Sequence, residues 1–207
     1  MATTATPRDT RDGPPGRGLL LRIPKGLTLT RAALAPVMVA LALWAPSRVA
    51  LSTCLCVAFL SDVFDGIIAR ALGIATPALR RLDSLADTLF YVAATWAVWH
   101  LHPAALGARR WLLAVLVGLE LSRYLYDACK FRREASYHLW SSKLWGIALF
   151  AAFVAVLGCG VDNALVDAAL WIGIVADAEG LAVSAVLPAW QTDVPTLWHA
   201  LRARRSA

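Results

Sequence analysis

Charge is scarce in this chain. Only 16% of the residues are Asp, Glu, Lys or Arg, against 59% hydrophobic, and a mean hydropathy of +0.60 is too apolar for an ordinary soluble domain. Cysteine is scarce as well, limited to Cys54, Cys56, Cys129 and Cys159. The Cys54-x-Cys56 pair lies inside an apolar block with no second pair to complete a zinc site, so these are read as small packing residues. No basic stripe interleaves with stacking aromatics, which argues against nucleic acid as a partner. His100, His102, His138 and His199 show no ligand-like grouping. No internal repeat recurs at a fixed period, and no signal peptide is visible.

What the chain has in abundance is long apolar runs. Six blocks stand out, at about 27–46, 48–69, 84–106, 109–128, 140–160 and 164–188, each near the roughly 20 residues a helix needs to cross a bilayer. The expected fold is therefore all-α and integral to the membrane, with six transmembrane helices in one domain over residues 19–200, because open-chain spans must be helical. Residues 1–18 are polar and rich in Pro and Gly and are expected to form a disordered tail, and 201–207 a short basic tail. Residues 19–26 alternate apolar and basic residues and suit a short interfacial segment, with Pro24 breaking the chain before the first span and Thr28 or Thr30 capping it. Basic residues cluster before the first block, at Arg70, Arg80 and Arg81, at Lys130, Arg132 and Arg133, and at Arg202, Arg204 and Arg205. That bias places both termini and the 70–82 connector in the cytoplasm, and the net charge of +6 then reflects topology and contact with anionic membrane lipids. Trp44, Trp190 and Trp198 fit interfacial belts.

Against this background two aspartate pairs are conspicuous: Asp62 and Asp65, then Asp83 and Asp87. Spacings of three and four place both carboxylates of a pair on one helix face. Two such faces turned toward each other make a cage of hard oxygen ligands suited to Mg²⁺ or Mn²⁺. Each acid at a bilayer centre costs about 2.5–3.5 kcal/mol, so four unpaired ones would cost roughly 10 kcal/mol. Binding metal and phosphate is a sufficient reason to keep them. Gly66 and Ala69 share the aspartate face and let a ligand approach the helix backbone closely, and Arg70 offers a fork suited to phosphate.

Read together, Asp62-x-x-Asp65-Gly66-x-x-Ala69-Arg70, eight residues, Leu79, three residues, Asp83, three residues and Asp87 resembles the signature of the CDP-alcohol phosphatidyltransferase family, with Leu79 where that pattern carries a glycine. Leucine there implies a connector that follows another path or a contact that is filled. Ile23-Pro24-Lys25-Gly26-Leu27-Thr28-Leu29-Thr30-Arg31 is similar to the family's Ile-Pro-Asn-x-Leu-Thr-x-x-Arg opening, in a form like that of the phosphatidylglycerophosphate synthase branch. The resemblance implies transfer of a phosphatidyl group from CDP-diacylglycerol to a small alcohol, with release of CMP, in phospholipid biosynthesis. It implies two ions, Mg²⁺ or Mn²⁺, with Asp62 and Asp83 touching both, Asp65 completing one site and Asp87 the other, and Asp87 taking the acceptor's proton. It places Lys25, Gly26, Leu27, Thr28, Gly66, Ala69, Arg70 and Thr76 at the nucleotide, and it implies a homodimer. Glycerol 3-phosphate is the preferred acceptor, because the opening resembles that branch and Arg132, Arg133 and Lys143 form a basic cluster able to hold its phosphate; inositol phosphate, serine, choline-like alcohols and phosphatidylglycerol stay open as acceptors.

Blander readings stand beside these. Arg31 suits a snorkelling residue as well as a site residue, and Thr76 suits a turn. Glu120 and Arg123 are expected to pair with each other, and Glu179 to make a structural hydrogen bond or serve the site. Two other functions fit the same acids: a hydrolase of CDP-linked lipids with the same metal site, and a cation transporter without enzymatic activity.

Overall fold

A computed structural model describes residues 22–73, 76–132, 137, 139–191 and 194–205. The described residues form helices and connections, with no strand among them. Helix α1 spans Arg22–Trp44, α2 Arg48–Ala71, α3 Pro77–Leu101, the short α4 Pro103–Gly107, α5 Arg110–Phe131, α6 Trp140–Phe153, α7 Ala164–Val186 and α8 Leu197–Arg205. The chain is an all-helical integral membrane protein. Four of its helical stretches, Ile23–Trp44, Arg48–Ala71, Trp140–Cys159 and Ala164–Val186, are long and apolar enough to cross a bilayer. Helices α3 and α5 match the remaining two expected blocks in place and length, but charged and polar residues interrupt their apolar surface. Four spans are thus supported among the described residues, where six were expected.

The start of α1 differs from expectation. The helix is continuous from Arg22 through Pro24, with no separate interfacial piece from Arg22 onward. Pro24 falls in the first turn, where a missing N–H is not needed inside the helix. Thr28 and Thr30 do not cap; their hydroxyls donate back to the carbonyls of Pro24 at 3.0 Å and Gly26 at 2.9 Å. The tail expected over 1–18 lies outside the described residues.

Other boundaries follow ordinary capping chemistry. Thr76 caps α3, its hydroxyl accepting the Leu79 N–H at 3.2 Å, and Pro77 occupies the first helical position. Asn163 caps α7 by accepting the Leu165 N–H at 3.0 Å. The Gly158-Cys159-Gly160 stretch is the end of a helix: α6 widens into a π-helical turn over Val154–Cys159 and stops at Gly160, which is left-handed with φ 69°. The positive φ is what calls for glycine at 160; a Cβ there would also stand 2.7 Å from the Arg48 guanidinium, the flexible end of an exposed side chain that can shift aside.

Packing divides the helices into two groups. Helix α1 lies against both α2 and α3, while α7 lies against α5 and α6. The α1–α2 pair is antiparallel, with Thr28 meeting Asp65 and Cys54 meeting the Leu34 carbonyl. The first core holds Met38, Leu51, Leu55, Phe90 and Leu157 among alanines at 42, 58, 94 and 97. Small residues at these crossings let the helix backbones close in, as membrane packing favours. A second core, Tyr137, Leu139, Val183, Leu187, Val194 and Ala200, seats α8 beneath α6 and α7. The cysteines are free, and Cys54 is buried as a packing residue.

Candidate metal and nucleotide site

The aspartate faces expected on two helices do converge, with α1 between them. Arg31 projects from α1 and is 2% exposed. Its Nη1 lies 3.1 Å from Asp62 and 3.2 Å from Asp83 and donates to Asp87, while Nη2 lies 2.5 Å from Asp65. One guanidinium therefore joins all four carboxylates, one pair from α2 and one from α3. The bland reading of Arg31 as a snorkelling residue does not hold.

Asp62, Asp83 and Asp87 each turn one carboxylate oxygen into a common space, all within 4.8 Å of one another. Asp65 sits beside this trio, 3% exposed, accepting from Arg31 and from the Thr28 hydroxyl at 3.4 Å. A cavity of about 10 Å³ adjoins Arg31, Asp62 and Asp87, walled by Phe59, Phe90 and Phe150. That is room for about one water molecule.

The donor set suits a divalent cation. All donors are hard oxygens, and three converge from two helices. Asp83 Oδ1 is buried yet accepts no hydrogen bond, though Arg31 Nη1 lies 3.2 Å away. Four carboxylates against one guanidinium leave the cluster three formal negative charges in excess, which a low-dielectric interior penalises until cations arrive.

The other expected site residues scatter around this centre. Gly66 is half-buried on α2 and Arg70 is exposed. A Cβ on Gly66 would lie 3.2 Å from Arg70 Nη1, so the bare backbone leaves room for the guanidinium to fold back. Ala69 is buried, Thr28 is 1% exposed, and Lys25 and Gly26 are exposed with Leu27 half-buried. Thr76 acts as a helix cap. Leu79, where the signature has glycine, is 8% exposed inside the first turn of α3. The contact at that position is filled, and its helical backbone does not call for glycine.

The basic cluster is less coherent than expected. Arg132 is exposed and ends α5 in a left-handed conformation, φ 51°. Lys143 is exposed with Nζ 4.4 Å from the centre of the Trp140 ring. Arg133 lies outside the described residues. Among the described residues, no contact joins Arg132 or Lys143 to the tetrad. Lys130 instead ties two helix ends together, donating to the carbonyls of Ser184 at 2.7 Å and Ala185 at 2.9 Å.

A second polar seam was only partly legible. Glu120 and Arg123 pair as expected, with Nη2 2.7 and 2.9 Å from the two carboxylate oxygens. Across the interface Asp177, 2% exposed, lies 3.6 Å from Arg123 Nε, and Asp127 is also 2% exposed, with neither carboxylate oxygen hydrogen-bonded. Arg123 meets α7 at Asp177 and Gly180, and Lys130 meets it at Ser184, so α5 and α7 run parallel. The signal for the seam was a polar stripe at 120, 123, 127 and 130 facing Asp177 and Ser184, with Gly180 between them. Glu179 points the other way, accepting from the Ser141 hydroxyl at 2.5 Å and the Leu197 N–H at 3.1 Å, a structural role that tethers α6 and α8 to α7.

The described helices thus gather paired acids from two helices into one half-buried trio whose oxygens lie within 4.8 Å of one another, a donor set of the kind that suits a divalent ion. The chain belongs to the CDP-alcohol phosphatidyltransferase family, whose model matches residues 21–184. It is thus a transferase of phospholipid synthesis, of a family that uses a CDP-alcohol, an alcohol acceptor and a divalent metal. Neither the curated proteins nor the solved structures give a match.

Proposed function

We propose that this protein transfers the phosphatidyl group of CDP-diacylglycerol to a small alcohol, glycerol 3-phosphate being the preferred acceptor, and releases CMP. The observation that carries the reading is the convergence of Asp62, Asp83 and Asp87 on one space, with their oxygens within 4.8 Å of one another. Two Mg²⁺ or Mn²⁺ ions, held by Asp62, Asp65, Asp83 and Asp87, supply charge neutralisation at the diphosphate when bound. Asp87 accepts the proton of the acceptor hydroxyl. The freed oxygen bonds to the lipid-bearing phosphorus, and the bond from that phosphorus to the bridging oxygen breaks. CMP leaves with the electron pair. Gly66, Ala69 and Arg70, with the Lys25–Thr28 stretch and Thr76, line the nucleotide side. Arg132, Arg133 and Lys143 receive the acceptor's phosphate from the cytoplasmic face. The enzyme works as a six-span homodimer with both termini in the cytoplasm.

The test is CMP release by the purified protein given CDP-diacylglycerol, Mg²⁺ and a panel of alcohols, with lipid products identified by mass spectrometry. Alcohol-dependent release with a matching phospholipid product is expected. Release at the same rate without any alcohol, yielding phosphatidic acid, means hydrolysis. Cation flux in proteoliposomes free of nucleotide lipid, with no CMP formed, means transport.

The nucleotide assignment makes its own prediction. Gly66→Leu fills the approach beside Arg70, and overpacking of about 1–3 kcal/mol translates into a rise on the order of tenfold in KM for the CDP-lipid. An unchanged KM for the donor, measured across the same acceptor concentrations, removes Gly66 from the nucleotide face.

A further inference from the structure

Arg31 does more than border the tetrad. Its Nη1 is shared by Asp62, Asp83 and Asp87, the same three acids whose oxygens converge within 4.8 Å. That nitrogen lies in the space on which those three acids converge. The contacts to Asp62 and Asp83, 3.1 and 3.2 Å, are longer than the roughly 2.0–2.1 Å of a Mg²⁺–oxygen bond. Asp62 and Asp83 would therefore draw in by about 1 Å on a smaller, more highly charged ion in its place. The guanidinium is nearly inaccessible to solvent and is held only by its two terminal nitrogens, since Nε is buried without a hydrogen-bond partner. A group fastened at its tip alone is released once those contacts are replaced, and since the adjoining cavity is only about 10 Å³ its neighbours must shift to let it turn away. An ion and Nη1 cannot occupy that space together.

We propose that Arg31 is a built-in counter-cation: it fills the divalent position in the metal-free protein, holds α1, α2 and α3 together there, and is expelled when the ion binds. The inference deepens the reading of the tetrad as a metal site and rests on it. It explains how four acids at one level of a membrane bundle can wait for metal without driving their helices apart. It also makes Arg31 a competitor that weakens the first ion's binding.

The experiment is an isothermal titration of the full-length protein in detergent micelles with Mn²⁺, after chelator treatment, comparing wild type with Arg31→Gln. Glutamine keeps hydrogen-bonding capacity but removes the competing charge, so Mn²⁺ should bind about tenfold tighter or more. Thermal melts should show a lower midpoint than wild type in chelator and a larger gain at saturating Mn²⁺. If the variant does not survive chelation, Arg31→Lys is titrated instead. It keeps the charge and loses the fork that spans the acids, and it should bind Mn²⁺ about threefold tighter or more. Wild type that takes up no Mn²⁺ refutes the metal reading of the tetrad itself. Wild type that binds Mn²⁺, with a folded Arg31 variant no tighter than it, refutes only the role given to Arg31.

Discussion

Asp87→Asn should lower CMP release by about 10³-fold or more in a protein that still folds. Asparagine preserves the volume and one acceptor oxygen, and it removes both the negative charge and the ability to take a proton. Loss of a general base alone costs typically 10²–10⁴-fold, and a weakened metal site adds to that. Asp62→Asn should be similarly inactive at ordinary Mg²⁺, for a different reason: Asp62 belongs to the converging trio but is not assigned the proton. The two variants should therefore separate on metal titration. Millimolar Mn²⁺ should restore part of the turnover of Asp62→Asn by mass action and almost none of that of Asp87→Asn. Turnover near wild type in both variants would remove the mechanism. Equal rescue of both would remove Asp87 as the proton acceptor while leaving it a ligand.

The second large effect is on stability. Arg123 is the cation of the α5–α7 seam, bonded to Glu120 at 2.7 Å and lying 3.6 Å from Asp177. Arg123→Ala strands Asp177, which is 2% exposed, among apolar helices. Removing one partner of a buried ion pair costs about 3–5 kcal/mol, so the variant should unfold at markedly lower temperature or denaturant in detergent. Pairing Arg123→Met with Asp177→Asn removes the cation and the buried acid together and should recover the part of the loss that the stranded Asp177 causes, the part-exposed Glu120 being left unpaired in both variants. If the single and double variants are equally unstable, the loss comes from packing of the arginine stem rather than from the stranded acid.

How far the chain could be read before its fold was in hand depended on the range of the contacts involved. Periodicity along one helix was legible: the pairs 62/65 and 83/87, the Glu120–Arg123 pair and the places of the long helices all follow from spacing. Contacts between helices were not. Arg31 meets Asp87 across 56 residues of sequence, and although it closes the family-like opening stretch, nothing in that stretch says which acids it meets. Asp127 and Asp177 are read as buried only when α5 and α7 are laid side by side in parallel. The start of α1 differs from the expected break at Pro24 because a proline in the first turn of a helix costs little. The glycine position of the signature was the converse case. Leu79 sits in the helical turn that Thr76 caps, so of the two outcomes a leucine there implies, the filled contact is the one the fold shows.

The central claim is that the acids of α2 and α3 grip divalent ions where a diphosphate ester is cleaved. The most direct measurement is a structure of the protein loaded with Mn²⁺, with the ion located by anomalous scattering. The account predicts a Mn²⁺ peak between Asp62, Asp83 and Asp87, with the Arg31 guanidinium turned out of that space. A protein that turns over with Mn²⁺, yet shows the ion bound elsewhere and Arg31 still closed on the four acids, would contradict it.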